Sequence, residues 1–146
     1  MIVVVLLAGL LVSGVAPDRA RAAEVRVLRR VHMMSLTNSD RRQRDRARLT
    51  LNDRLSHIAK RHSRDMAAQG YLFHSSSDQL VKELSPYDWS LGGENVGVGD
   101  SLEGLESAFM HSKEHRRNIL RPQFEHAAIG IVRVDGALWV TVIFYG

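Results

Sequence analysis

The clearest pattern along the chain is a helical stripe. Leu55, Ala59, His62 and Met66 recur at spacings of four, three and four, which places them on one face of a helix. The spacing predicts a helix from Asp53 to Gly70, with Gly70 as its C-terminal stop. Ser35 to Arg48 is polar and helix-compatible. Tyr71 to Leu84 carries His74 among serines and reads mostly as loop. Pro86 to Gly99 holds four glycines and reads as irregular. A third helix follows, with Asp100 as its cap and Glu103 as the capping-box partner; Leu102, Leu105, Ala108 and Phe109 form its apolar face, and Pro122 ends the region. Ile129 to Val134 and Leu138 to Tyr145 alternate as strands do, joined by the hairpin turn Asp135-Gly136. On the last strand Leu138, Val140, Val142 and Phe144 share one face. The other face, Trp139, Thr141, Ile143 and Tyr145, is too apolar to be left wet, so helices are expected on both sides of the sheet. The class is α+β, with helices first and a small antiparallel sheet at the end.

Composition narrows this further. The chain's 146 residues suit one domain. Without cysteine there is no disulfide, thiolate metal site or thiol nucleophile. An apolar run from Ile2 to Val12, broken only by Gly9, is followed by Ser13, Gly14, Pro17 and the small-residue pattern Ala20-Arg21-Ala22. It is short for a membrane span, so residues 1–22 read as a signal peptide, with an uncleaved anchor as the alternative because no Lys or Arg precedes the run. Residues 23–35 then form a basic N-terminal arm and 36–146 the folded domain of a protein that is secreted or held at the cell envelope. From Ala23 to Arg48 eight Arg face Glu24, Asp40 and Asp45, while from Leu49 onward ten Lys and Arg face twelve Asp and Glu. The basic stretch suits an anionic cell-envelope surface; the plainer reading is a solvated helix face. It has no aromatic residue to stack on bases, and no nucleic-acid partner is expected.

Among local motifs, His111-Ser-Lys-Glu114-His115 fits the H-x-x-E-H pattern of inverzincin proteases, with two imidazoles one helical turn apart. A third ligand and a far larger domain are missing from that reading. Ser75 and Ser112 lack the strand–Ser–helix elbow of a serine nucleophile, and the glycines at 92, 93, 97 and 99 lack the Lys-Ser or Lys-Thr of a phosphate loop. His62 sits on the apolar stripe and reads as a hydrogen-bonded core histidine; His57 and His126 read as exposed. Arg116 either anchors the turn from Ser112 to His115 or faces solvent.

Four longer elements occur in order. The first is Leu55-x-x-x-Ala59-x-x-His62-Ser-x-Asp65-Met66-Ala-x-x-Gly70-x-x-x-His74-Ser75, the second Gly93-Glu94-Asn95-Val96-Gly97. The third is Ala108-Phe109-x-x-Ser112-x-x-His115-Arg116-x-Asn118-Ile119-Leu120 with Phe124 and Ile129-Gly130-Ile131, and the fourth Trp139-Val-Thr-x-x-Phe144. Together they resemble the CAP superfamily of cysteine-rich secretory, antigen 5 and pathogenesis-related proteins, in its bacterial SCP-like extracellular branch, over about residues 36 to 146. The resemblance implies a three-layer α-β-α sandwich with a central antiparallel sheet and a surface cleft holding His74, Glu94 and His115. Ser112 stands where the eukaryotic branch carries a second glutamate, and Phe109 where the bacterial pattern favours Trp.

Two imidazoles and a carboxylate form a common ligand set for a divalent ion, zinc above all. They equally form a base oriented by a carboxylate, or a polar network that only pins loops together. The expected function is accordingly binding of a small ligand, a lipid or a divalent ion in a cleft of His74, Glu94, His115 and Ser112. The alternatives are a metal-dependent hydrolase acting on peptide or nucleic acid in the same cleft, and a purely structural cluster. In each case the side chains of His74, Glu94 and His115 should meet in one cleft, within about 10 Å of each other. N-terminal sequencing of protein exported by its native host is expected to begin near Ala23; intact Met1 recovered from the membrane fraction overturns cleavage in favour of the anchor.

Overall fold

The computed structural model describes the chain from Ala16 to Gly146; the apolar run Ile2–Val12 lies outside the described residues. The elements in order are α1 (Ala16–Arg42), β1 (Thr50–Leu51), α2 (Asp53–Gln69), α3 (Ser77–Leu84), β2 (Gly92–Gly99), α4 (Leu102–His111), α5 (Lys113–Ile119), β3 (His126–Val134) and β4 (Ala137–Tyr145). The strands form one sheet in the order β1-β3-β4-β2. The β3, β4 and β2 strands pair antiparallel, whereas β1 adds two residues parallel to β3, so the sheet is mixed rather than wholly antiparallel. No helix among the described residues is long and apolar enough to cross a membrane.

The alternation along β3 and β4 divides the core in two, as the expected sandwich requires. Ala127, Ile129 and Ile131 of β3 and Leu138, Val140, Val142 and Phe144 of β4 pack with Met33 and Met34 of α1, Leu102, Leu105 and Phe109 of α4, and Ile119 of α5. Ala128, Ile143 and Tyr145 face the other way, against Leu55 and Ala59 of α2 and Leu84 of α3. The hairpin turn is as expected: Asp135 and Gly136 both have positive φ, 48° and 83°, the geometry that matches the twist of adjacent antiparallel strands.

The stripe of α2 is buried at Leu55, Ala59, His62 and Met66. Asn52 caps its start by accepting a hydrogen bond from the Leu55 amide, and Gly70 ends it in the left-handed conformation. The helix lies very close to the sheet. A methyl group at Gly130 would collide with the backbone of Ala59 and Lys60. Hydroxyls stitch the contact: Ser56 Oγ accepts from the Ile129 amide at 3.0 Å, and Ser63 Oγ reaches Gly130 O at 3.1 Å and Thr141 Oγ1 at 2.9 Å.

Three expectations about elements need correction. Residues 92–99 form a strand, because their glycines leave room for α4: added methyls at Gly97 and Gly99 would press on Phe109 and Leu105. Tertiary packing thus overrides low strand propensity. Residues 77–84 are helical, capped by Ser76, whose side chain accepts from the Gln79 amide. The cap of α4 is Ser101, which accepts from the Gly104 amide, and not Asp100. Glu103 instead meets His32 of α1 at 2.7 Å. His126 is half-buried, its ring stacked on Tyr145 at 4.8 Å, where the sequence reading left it exposed.

Helix α1 runs unbroken across residues 35 and 36, joining arm and domain. Its second half is tied down. Asn38 exchanges two hydrogen bonds with the backbone of Leu49, and Thr37 Oγ1 donates to the buried Glu106 at 3.1 Å. Burial pushes the Glu106 carboxyl up to about 7. Arg41 is fully buried with no carboxylate beside it; its guanidinium donates to the carbonyls of Ala47, Ile119, Arg121 and Phe124 at 2.6 to 3.1 Å. Burial lowers its pKa first, followed by the nearby charge of Arg46.

Gly130→Ala is expected to lower stability by about 3 kcal/mol or more, because the helix must lift off the sheet to admit one methyl. Gly136→Ala, which meets no neighbour but is strained by its positive φ, is expected to cost about 1–2 kcal/mol. Urea unfolding midpoints at constant slope report both.

Candidate functional site

The cleft forms where β2 runs along the edge of the sheet, and consecutive residues of that strand serve its two sides. Glu94 pairs with Ile143, whose side chain belongs to the α2 side; Asn95 pairs with Val142, on the α5 side.

On the α2 side, His62 Nε2 donates to the Phe73 carbonyl at 2.9 Å, and the two rings meet edge to face at 4.9 Å. This buried imidazole pins the segment that follows Gly70, confirming its reading as a core histidine. His74 comes next. Its Nδ1 donates to Glu94 Oε1 at 2.9 Å, while 57% of the side chain is exposed. The Ser75 amide donates to the same oxygen at 2.9 Å, and Ser75 Oγ donates to Oε2 at 2.7 Å. Glu94 itself is buried. A buried carboxylate is costly unless its lone pairs are filled, and three donors fill them here. Because Glu94 fixes Nδ1 as the donor, Nε2 of neutral His74 is left as an acceptor at the exposed end of the ring.

On the α5 side, two asparagines do the positioning. Asn118 Nδ2 donates to the Glu94 carbonyl at 3.1 Å and to Asn95 Oδ1 at 2.9 Å; Asn95 Nδ2 donates to the His115 carbonyl at 3.1 Å. Arg116 anchors the turn by donating to the Met110 carbonyl at 2.9 Å. The His115 ring lies edge to face with Phe109 at 4.9 Å. Burial lowers its pKa, the field of His74 lowers it further, and Glu114 opposes both. The net effect favours the neutral ring.

His74, Glu94 and His115 line a single cleft of about 420 Å³, as the sequence motifs implied. Glu114, Arg117, Asn118 and Arg121 complete its walls. Ser112 does not line it; in extended conformation it forms the junction between α4 and α5. That break also removes the premise of the inverzincin match. His111 and His115 sit on different helices, and exposed His111 turns its Nδ1 to the carbonyl of its own helix at Ser107, 2.7 Å away. Among the described residues no three His, Asp or Glu side chains are grouped so as to hold an ion. Both oxygens of Glu94 already accept hydrogen bonds, so the trio as arranged is not a ready coordination set. Sequence reasoning missed Ser75 as a partner of Glu94, the Asn95–Asn118 bridge, and Arg117 and Arg121. The first two stood inside recognised elements; the arginines carried no local signal.

The chain belongs to the CAP family, the cysteine-rich secretory protein family, whose sequence pattern matches residues 34–144. The YkwD protein of Bacillus subtilis, described as uncharacterized, is 32% identical over 133 residues, 85% of this chain and 48% of that protein. An extracellular protein containing an SCP domain from Bacillus anthracis superposes with a TM-score of 0.63 at 27% identity, covering 78% of this chain and 39% of that one. An outer surface protein of Borrelia burgdorferi shares the fold, with a TM-score of 0.68 at 17% identity over 77% of this chain and 88% of its own. The chain thus spans about half the length of its curated relative and two-fifths of the Bacillus anthracis protein.

Glu94→Gln is expected to destabilise the fold by about 2 kcal/mol, because its amide nitrogen must face a donor from His74 or Ser75. Urea unfolding at pH 7 reports the loss. Amide hydrogen exchange at Ser75 should accelerate in the variant, and unchanged protection there would mean that Glu94 does not hold the segment.

Proposed function

We propose that this CAP domain is an extracellular or envelope-held binding module whose cleft takes a small anionic ligand, a carboxylate or phosphate compound. The observation that carries this reading is the composition of the cleft walls. Arg117 and Arg121 bring guanidinium donors to the lining beside the imidazoles of His74 and His115, Glu114 is the one acid there besides Glu94, and Glu94 is buried and already satisfied by its own neighbours. Guanidinium groups pair with planar or tetrahedral oxyanions through several N–H donors at once. Walls this polar offer little to a lipid chain, which favours the small polar ligand over the lipid reading. The donor set of Glu94 favours it over an ion held by the trio. Export is supported by the apolar run before Val12 and by the Bacillus anthracis relative, described as extracellular.

The pH dependence separates an anion from a metal. His115 takes up its proton at a lower pH than an ordinary imidazole, because burial and His74 lower its pKa. Charging it draws an anion in, whereas a metal needs the neutral ring. Inorganic phosphate titrated against the imidazole signals by NMR is expected to bind more tightly at pH 5.5 than at pH 7.5, after correction for the ionisation of phosphate itself. Arg117→Ala is expected to weaken it about tenfold. Zinc chloride that perturbs both His74 and His115, with affinity falling as pH drops, would overturn the anion reading in favour of the metal.

A further inference from the structure

A second concavity, of about 600 Å³, lies between the first half of α1, the middle of α2 and the end of β3. Arg26 and Arg29 of α1 form one wall, Lys60 and Arg64 of α2 the other, and Arg133 of β3 closes an end. None of these five is ion-paired with a carboxylate among the described residues; the neighbouring Arg30 is, with Asp53 at 3.3 Å. Asp18 is the lone acid on the lining, and it precedes the expected cleavage site. Lys60 shows the effect of this crowding. Partial burial lowers its pKa, and Arg26, Arg64 and Arg30 lower it further. The fold therefore gathers like charges against a single acid, Asp18, and an external anion would relieve them.

The charges frame aliphatic surface. Val25, Ile131 and Val134 line the same groove between the cations. Outside the groove, Val27, Leu28 and Val31 of α1 are exposed as well, Leu28 at 59%. Cations alone suit any polyanion. Cations bordering exposed aliphatic side chains on one helix suit the boundary between headgroups and acyl chains of an anionic bilayer, where both kinds of group are satisfied at once.

We propose that this groove, built jointly by α1, α2 and β3, docks the domain on an anionic phospholipid surface, with lipid phosphates between its two walls. The basic helix alone is then only half of the site, and Lys60 and Arg64 on the domain are required. The groove shares no lining residue with the His74–Glu94–His115 cleft, so the two proposals stand or fall separately.

The test is co-sedimentation of the full chain with vesicles of phosphatidylcholine containing none, one tenth or one third phosphatidylglycerol. Apolar binding by the amino-terminal run would be common to all three compositions, so the readout is the increment that phosphatidylglycerol adds. That increment should shrink as salt rises. At roughly fivefold per charge, Lys60→Glu combined with Arg64→Glu should reduce it by about 25-fold or more, and Arg26→Glu on the facing wall by about fivefold or more. Lys82→Glu, on exposed α3, should leave it unchanged. If the α2 variant fails to fold, Arg26→Glu carries the test. An increment that survives the groove variants overturns the proposal. So does a wild type that binds a short polyphosphate chain but shows no increment, which would make the partner a soluble polyanion.

Discussion

Everything in this molecule hangs on how closely α2 lies against the sheet. At Gly130 the backbone of the helix rests where a side chain would otherwise stand, and Ser56 and Ser63 turn the gap into hydrogen bonds. That contact sets the height of the helix over β3 and β4. It therefore sets where His62 falls, and through the Phe73 carbonyl where the chain returns after Gly70. His74 reaches Glu94 because α2 rests directly on the sheet and hands the chain back beside its edge strand. On the opposite face, the glycines of β2 let Phe109 and Leu105 of α4 come equally near. The sheet edge carrying the cleft is thus held from both sides by close approach, which tolerates little sideways drift.

Two buried carboxylates show how differently one fold treats the same group. Glu94 meets three donors and acts as a junction for the segment at His74 and Ser75. Glu106, packed between α1 and α4, has one donor, Thr37, and an oxygen without a partner, and its carboxyl is pushed up to about 7. The contrast explains why the cleft gathers around Glu94. Its oxygens are occupied by hydrogen bonds, and the imidazoles of His74 and His115 and the guanidinium groups of Arg117 and Arg121 line the cleft around it.

Much of this was legible in the sequence, for identifiable reasons. The stripe of α2, its stop at Gly70 and the Asp135-Gly136 turn are set by local physics and were read correctly. So were the two covered faces of β4, because apolar residues at nearly every position leave no wet side. The convergence of His74, Glu94 and His115 came from ordered motifs, not from periodicity, since no local rule joins residues so far apart. What failed was decided by neighbours. Gly92 to Gly99 looked irregular because a strand of glycines makes sense only once Phe109 and Leu105 lie over it. Helix α3 is too short for its period to show against the serines before it. His111 and His115 seemed to share a helix because nothing in the sequence announces the break at Ser112. Arg117 and Arg121 look like solvated charge until the cleft is seen between them.

Arg41 gives the architecture a further property. Its guanidinium is held entirely by carbonyl oxygens from two stretches of chain, at Ala47 and from Ile119 to Phe124, the latter starting at the end of α5 beside Asn118. If the second half of α1 were peeled away, four carbonyls would lose their donor together and a cation would have to regain its water. Partial opening at this end is therefore poorly tolerated, and α1 and the rim of the cleft come apart in one step or not at all. A pull on the amino-terminal half of α1, of the kind a tethered domain feels at a surface, is consequently delivered to the Arg117–Arg121 side of the cleft as mechanical load.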